Sequence, residues 1–243
     1  MLTRLPTQPP NFHHPHHHLI LSLAMIGRLL LDGKASAFEN MAVDESLLRH
    51  ACAPVLRIYG WKEACVSIGY FQKNSVVPGS TPFVRRYTGG GLVEHGRDLT
   101  YTLVLPADHP LTLAGTLPCY RSIHTAVAAA LSDAGTDCRL ATAQPKKDHA
   151  SCFLKPVPAD VLDPRGNKLA GAAQRRTRQG CLHQGSILVR GIIPKNLPNF
   201  LTKHLAQELQ LEWKAGVQTD EEINLGTKLL QERYSTRDWN FSR

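Results

Sequence analysis

Short strand-like segments separated by turn residues, with helices between them in no regular order, constrain the fold of this chain most strongly. Two such segments, Val55–Tyr59 and Cys65–Tyr70, flank a predicted turn at Gly60–Lys62, and a second hairpin is predicted around Asp163–Asn167. A parallel sheet would instead require strands and helices that alternate regularly. The pattern therefore predicts an α+β fold with a mixed, mainly antiparallel sheet flanked by helices.

Apolar periodicity predicts the other elements. The first helix begins near Ser36, and its apolar residues recur at helical spacing with Asp44 and Glu45 between them. Further helices are predicted over 120–134, which Gly135 ends, and over Leu197–Leu211 and Glu221–Tyr234. Further strands are predicted over 26–32, Phe83–Arg86, Leu99–Leu105, Ala159–Leu162, Lys168–Gln174 and Cys181–Val189.

The composition is that of a globular protein. The 243 residues suffice for one large domain or two small ones, and 42% of them are hydrophobic and 20% charged. These fractions exclude disorder or a coiled coil as a description of the whole chain. Six cysteines without a C-x-x-C pair argue against a disulfide scaffold and a structural zinc site, so no metal is expected.

The charge balance is strongly basic. Lys and Arg number 28 and Asp and Glu number 20, which gives a formal net charge of +8. This charge favours an acidic partner, which by composition alone could be nucleic acid, an anionic membrane or an acidic protein. Aromatic residues make up only 7%, and neither a helix-turn-helix nor an RNP-like motif is visible. We therefore expect neither a nucleic-acid nor a membrane partner.

The first 24 residues differ from the rest of the chain. They are rich in proline and contain five histidines between His13 and His18, which predicts a disordered leader before a domain over 25–243. The apolar run over 19–31 is too short to span a bilayer. Ala35–Ala37 would suit a signal-peptide cleavage site, but Arg28 interrupts the apolar run, so a cytoplasmic protein is expected.

The most unusual segment for chemistry runs from Arg85 to His95. Three adjacent glycines, Gly89–Gly91, follow two arginines and allow the backbone to approach a ligand closely and to offer N–H groups to an anion. The alternative is a long hairpin turn with a solvated basic edge. The segment lacks the G-K-[ST] of a phosphate-binding P-loop.

A lysine among small residues marks a second segment. Strand alternation predicts that Lys168, Ala170 and Ala172 share one face, beside which a ligand could lie flat. In such a groove the ammonium could hold a carbonyl or carboxylate oxygen, whereas a lone strand lysine is otherwise a solvated edge charge.

A cysteine beside several cationic residues marks a third segment. Cys152 lies in an irregular stretch near Lys147, His149 and Lys155, and nearby cations raise the thiolate fraction of a thiol. Cys152 is therefore a candidate nucleophile, although a free cysteine can also be a buried small apolar residue.

These three segments, together with further motifs along the chain, resemble the lipoate–protein ligase A, biotin ligase and octanoyltransferase superfamily. Within it, the chain is most similar to the cysteine-dependent octanoyltransferases that act on lipoyl carrier proteins. The resemblance begins near Leu29 and includes N-M-A-x-D-E-x-L (Asn40–Leu47), R-x-Y-G-W (Arg57–Trp61), S-I-G-Y-F-Q (Ser67–Gln72), R-R-x-T-G-G-G (Arg85–Gly91), H-x-x-D-L-T-Y (His95–Tyr101), C-F (Cys152–Phe153), K-x-A-G-A-A-Q-R (Lys168–Arg175), Q-G-S-I-L (Gln184–Leu188) and D-W-N (Asp238–Asn240).

The resemblance implies a role for particular residues. Cys152 would be the nucleophile, and Lys168 would contact the acyl carbonyl. The other implied substrate-binding residues are Arg86, Thr88, Gly89, Gly90 and Gly91 beside the acyl group, His95 at the flank of the pocket, Gly171, Ala172 and Ala173 along the acyl tunnel, and His183.

The implied reaction transfers an octanoyl group from acyl carrier protein through a thioester on Cys152, without a cofactor. The acceptor would be a lysine of a lipoyl domain of a 2-oxoacid dehydrogenase or of the glycine cleavage H protein. The alternative is a lipoate–protein ligase, which activates free lipoate with ATP and Mg²⁺. Gly91 supports that alternative because the third glycine is a ligase feature, whereas Cys152 supports the transferase.

Overall fold

The computed structural model describes residues 25–142, 157–188, 191 and 193–243. The predicted leader and Cys152 lie outside the described residues. The helices are α1 (Ala37–Arg49), α2 (Pro110–Leu113), α3 (Thr116–Asp133), α4 (Leu197–Leu209), α5 (Asp220–Leu229) and α6 (Arg237–Asn240). The strands are β1 (Met25–Ala35), β2 (Val55–Trp61), β3 (Cys65–Ile68), β4 (Phe83–Arg85), β5 (Val93–His95), β6 (Leu99–Pro106), β7 (Arg139–Leu140), β8 (Val161–Leu162), β9 (Lys168–Thr177), β10 (Gly180–Ile187) and β11 (Leu211–Ala215).

In the described part of the chain these strands form two sheets. The larger has the order β11-β1-β2-β6-β10-β9-β8-β7, and the smaller has the order β4-β3-β5. In the larger sheet β1 pairs in parallel with β11 and β2, and every other pairing is antiparallel. The predicted α+β class with a mixed, mainly antiparallel sheet is confirmed.

The helices cover the larger sheet, and their ends follow local signals. Ser36 caps α1 by accepting a hydrogen bond from the Glu39 N–H while the Glu39 carboxylate accepts from the Ser36 N–H, and Thr219 and Glu222 repeat this arrangement at α5. Helices α3 and α4 pack on the main hydrophobic core, which includes Ile123 and Leu201. No helix among the described residues is both long and apolar enough to cross a membrane.

Several predicted boundaries are wrong, and tertiary contacts explain the differences. Strand β2 continues through the predicted turn to Trp61, whose indole is buried and donates to the Thr100 hydroxyl at 2.7 Å. The helix predicted over Leu197–Leu211 ends at Leu209 instead, because Gln210 adopts a left-handed conformation, and Leu211 begins β11, a strand that was not predicted. Strand β11 lacks an apolar pattern, since it mostly exposes its side chains at the edge of the sheet.

Candidate active site

A cavity lies where the loop that contains Gly89–Gly91, between β4 and β5 of the smaller sheet and called the glycine loop below, meets β9 and β10 of the larger sheet. Its volume, taken as the space open to the centre of a water molecule, is about 140 Å³. Among the predicted substrate-binding and catalytic residues, the cavity is lined by Arg86, Gly90, Gly91, His95, Lys168, Gly171, Ala172 and Ala173. It is also lined by Met41, Tyr59, Trp61, Ser67, Val93, Thr100, Val157, Gln184, Gly185 and Ser186.

The Arg86 guanidinium fixes the glycine loop from inside. It donates to the carbonyl oxygens of Ser67, Gly89 and Gly91 at 2.8, 3.0 and 2.8 Å, and to the Ser67 hydroxyl at 2.7 Å. The loop backbone passes so close to Gly69 that a Cβ atom there would lie 1.9 Å from the Gly90 carbonyl oxygen. Arg86 and Gly69 therefore hold the loop in the conformation that closes one wall of the cavity.

Thr88, Gly89 and His183 were predicted in the site but are not among the residues that line the cavity. The Thr88 hydroxyl donates to the Gln184 side chain at 2.7 Å, which ties the loop to β10. His183 is buried behind the cavity wall, where its ring nitrogens contact the Tyr101 hydroxyl and the Gln174 amide nitrogen at 3.1 Å each.

Lys168 is held at the cavity wall by a carboxylate that the sequence did not single out. Its ammonium lies 2.9 Å from Asp160 Oδ2, and the two side chains are 7% and 0% exposed. Asp160 also accepts from the Tyr120 hydroxyl at 2.5 Å and from the Val157 N–H at 2.7 Å. This arrangement positions a cation among small residues, as the sequence predicted for Lys168.

Simple strand alternation predicts that Ala170 lies beside Lys168 on one face of β9, and the structure differs from this prediction. A register shift between β8 and β9 inserts an extra residue, which directs Ala170 into the hydrophobic core. Gly171 therefore lies beneath the lysine instead, and a Cβ atom at Gly171 would lie 2.0 Å from Lys168 Cε. The glycine leaves the space that the lysine side chain occupies.

Gly171→Ala is expected to reduce activity by about 10- to 100-fold, because the methyl group displaces Lys168 from Asp160 and a shift of about 1 Å has such an effect on a positioned group. The measurement is the rate, at saturating substrate, of the acyl transfer that the family resemblance implies. The matched control is Gly33→Ala, since a Cβ atom there would meet no atom within 4 Å. Equal rates for Gly171→Ala and the wild type would contradict the assigned position of Lys168.

Ser67 and His95 form another part of the cavity wall, and a hydrogen bond links His95 to Asp98, which does not line the cavity. Ser67 Oγ lies 2.6 Å from His95 Nε2, and His95 Nδ1 lies 2.9 Å from Asp98 Oδ2. The Trp61 ring stacks on the imidazole with centroids 3.9 Å apart and planes tilted by 17°. Of these three residues, the resemblance implies a role for His95 alone, while Ser67 and Asp98 occur in its motifs without an assigned role. The H-x-x-D spacing is the signal that connects His95 with Asp98 in the sequence.

Burial and hydrogen bonds set the charges along this wall. Burial lowers the pKa of His95, although the hydrogen bond to Asp98 opposes this effect. Burial alone would raise the pKa of Asp98, but hydrogen bonds from His95, Ser186 and Thr100 bring it below its ordinary value. At neutral pH the pair is therefore a neutral imidazole and an ionised carboxylate.

Two further histidines, His124 and His183, are buried beneath the site. Burial lowers the pKa of His124 from 6.5 to about 4, and burial together with His124 lowers the pKa of His183 well below 6.5. The nearby polar groups are Asp160 and Lys168, which act on His124 in opposite directions. The native state therefore binds fewer protons than the unfolded chain as the pH falls below about 6.5, so stability falls with it.

We expect the free energy of unfolding to fall by about 2 kcal/mol between pH 7 and pH 5 from His124 alone. Urea titration at the two pH values measures this loss. His124→Asn should reduce the pH dependence, and His50→Asn should leave it unchanged because His50 is exposed. The same urea midpoint at both pH values would contradict the assignment.

The described cysteines offer no activated thiol in the cavity lining. Cys65, Cys119 and Cys181 are buried, Cys138 is half-buried and Cys52 is exposed. Burial raises the pKa of Cys65 to about 12, which makes it unreactive. No group of three or more His, Cys, Asp or Glu side chains within the described ranges could hold a metal ion.

Comparison with known proteins identifies the family of the chain. Residues 36–233 match the family described as the lipoyl protein ligase A/B catalytic domain. This chain belongs to that family. The family resemblance predicted from the motifs is confirmed, and so is the expectation that the chain is an enzyme.

Individual members of the family are also similar to the chain. The octanoyltransferase LipM of Moorella thermoacetica is 36% identical over 177 residues, which cover 67% of this chain and 64% of that protein, so the chain spans just under two thirds of it. The octanoyltransferase LipM of Bacillus subtilis is 29% identical, and the match covers 89% of this chain and 98% of that protein.

The fold is shared with a T. acidophilum protein that is assigned as a lipoate protein ligase and was solved with bound lipoic acid. The TM-score is 0.75, and the match covers 90% of this chain and all of that one at 24% identity.

Proposed function

We propose that this enzyme transfers an octanoyl group from acyl carrier protein, through a thioester on Cys152, to a lysine of a lipoyl carrier domain. The observation that carries the proposal is the Lys168 ammonium, which Asp160 holds at 2.9 Å in a cavity lined by Gly171, Ala172 and Ala173. The relatives named octanoyltransferase support the same acyl group.

In the first step an acyl thioester enters the cavity with its carbon chain along the small residues of β9. Lys168 donates a hydrogen bond to the carbonyl oxygen, where negative charge develops. The Cys152 thiolate attacks the carbonyl carbon, a new C–S bond forms, and the carrier sulfur leaves as a thiolate as the old C–S bond breaks. The lysine amine of the acceptor then attacks the Cys152 thioester, loses a proton and releases the thiolate as an amide forms.

The chain length between the cavity and Cys152 is compatible with this role. Val157 lines the cavity and donates to Asp160, and Cys152 precedes it by five residues. Five residues span at most about 18 Å, so the chain length permits Cys152 to reach the cavity.

The partners in this proposal are acidic proteins. Octanoyl-acyl carrier protein is the donor, and lipoyl domains of 2-oxoacid dehydrogenases or the glycine cleavage H protein are the acceptors. The net charge of +8 suits both by electrostatic steering. The reaction needs no cofactor, and a free nucleophilic thiol is compatible with the reducing cytoplasm.

Intact-protein mass spectrometry tests the proposal. Purified protein is incubated with octanoyl-acyl carrier protein without ATP, and wild type is expected to gain one octanoyl group that hydroxylamine removes. Cys152→Ser should gain no adduct that neutral hydroxylamine removes, whereas the matched control Cys52→Ser should behave as wild type because Cys52 is an exposed free cysteine. A hydroxylamine-sensitive adduct that persists in Cys152→Ser would remove Cys152 from the mechanism.

The second candidate function is ATP-dependent lipoate ligation. Gly91 favours it, since the third glycine is retained, as does the fold shared with a protein solved with lipoic acid. If free lipoate with Mg-ATP modified a lipoyl domain equally well in wild type and Cys152→Ser, and no octanoyl adduct formed, the ligase function would replace the transferase.

A further inference from the structure

A chain of hydrogen bonds that the proposed reaction does not use links Ser67, His95 and Asp98. Ser67 lines the acyl cavity and its hydroxyl lies 2.6 Å from His95 Nε2, while His95 Nδ1 lies 2.9 Å from Asp98 Oδ2. A nucleophile hydrogen-bonded to a base, with the base oriented by a carboxylate, is the arrangement that activates serine in acyl-transfer enzymes.

The hydrogen bonds determine where the protons lie. The Asp98 carboxylate accepts from the hydroxyls of Thr100 and Ser186, at 2.7 Å each, and from the Gly96 N–H at 3.1 Å. An ionised carboxylate can only accept, so the proton of the neutral imidazole lies on Nδ1. His95 Nε2 is then the acceptor and the Ser67 hydroxyl is the donor, which is the direction required for serine activation.

Two other contacts prepare the serine for attack. Stacking on Trp61 keeps the imidazole plane fixed toward Ser67. Arg86 donates to the Ser67 hydroxyl oxygen at 2.7 Å, so a cation stabilises the negative charge that develops on that oxygen as the proton leaves. Lys168 lines the same cavity and supplies a donor for the carbonyl oxygen.

We propose that Ser67, with His95 as general base and Asp98 as its positioning residue, is a second acyl-accepting nucleophile that hydrolyses medium-chain acyl esters and thioesters independently of Cys152. Ser67 Oγ attacks the acyl carbon as its proton moves to His95 Nε2. The bond to the alcohol or thiol breaks, and that leaving group takes the proton from His95. Water then attacks the Ser67 ester, gives a proton to His95 and releases the fatty acid, and His95 returns the proton to Ser67.

The test uses the full chain in the Cys152→Ser background, so that the two nucleophiles are separated. We expect p-nitrophenyl octanoate to be hydrolysed in this background, and a fluorophosphonate to attach to the peptide that contains Ser67. Adding Ser67→Ala should reduce hydrolysis at least about 100-fold and abolish the labelling, because removing a nucleophile leaves only the background catalysis of the site. Ser80→Ala is the matched control, since Ser80 is exposed and outside the cavity lining.

The outcomes distinguish this activity from octanoyl transfer. Peptide mapping of the protein that retains Ser67 needs no further variant, so the test stands even if Ser67→Ala is unstable. Absence of a fluorophosphonate adduct on Ser67, or unchanged hydrolysis in the folded Ser67→Ala variant, would show that the hydroxyl only anchors Arg86. Failure of octanoyl transfer in Cys152→Ser concerns Cys152 alone, since ester hydrolysis in the same variant reports on Ser67.

Discussion

Lys168→Met is expected to reduce octanoyl transfer by about 10²- to 10³-fold, which is the usual cost of losing one preorganised donor to a developing oxyanion. The variant keeps the length and apolar stem of the side chain but removes the ammonium that lies 2.9 Å from Asp160. The acyl carbonyl then lacks this donor when the thiol attacks. The measurement is octanoylation of a purified lipoyl domain, followed by mass.

Controls for Lys168 separate chemistry from folding. Lys203→Met removes a lysine whose side chain is 54% exposed and paired with the surface residue Asp133, and it should leave transfer unchanged. Asp160→Asn should cause an intermediate loss, since the ammonium remains but its charged partner does not. Transfer at the wild-type rate in a folded Lys168→Met variant would remove Lys168 from the proposed mechanism.

Asp44→Ala is expected to lower the free energy of unfolding by about 3–5 kcal/mol, because it leaves the buried Arg57 guanidinium without a main partner. The carboxylate is fully buried and lies 2.8 Å from Arg57. It also accepts from the hydroxyls of Tyr59 and Thr102 at 2.9 and 2.8 Å and from Gln184 at 2.7 Å. Urea-induced unfolding measures the loss.

The Asp44 network also connects the core to the glycine loop, because Gln184 accepts from Thr88. Asp44→Ala should therefore reduce transfer as well as stability. The matched control is Asp133→Ala, which removes an exposed aspartate that pairs with Lys203 and His204 and should change stability by less than about 1 kcal/mol. Comparable losses for the two variants would contradict the central role of the Asp44 network.

Local pattern explains why some of the site was predictable. Consecutive glycines at Gly89–Gly91 and the small residues after Lys168 are unusual in any chain, and both segments line the cavity. The capping residues Ser36 and Glu39 lie within one helical turn, so the start of α1 is visible in the sequence. These features depend on neighbours in the sequence.

Other features depend on distant residues. Asp160 looks like an ordinary loop carboxylate, and only the packing of α3 against β9 surrounds it with Tyr120 and Lys168. Asp44 and Glu45 lie among apolar residues of α1, yet both are fully buried because Arg57 and Arg233 meet them from elsewhere in the chain. Helical periodicity carries no information about such partners.

The sequence by itself determined the fold class, the family and the segments that carry the chemistry, since these follow from residue types at fixed spacing. Only the tertiary structure decided that Gly171 lies beneath Lys168, that Asp160 holds this lysine, and that Ser67 meets His95. Each of these depends on strand register or on contacts between distant segments. Register and long-range contacts arise from packing the whole chain, which no local window of residues specifies.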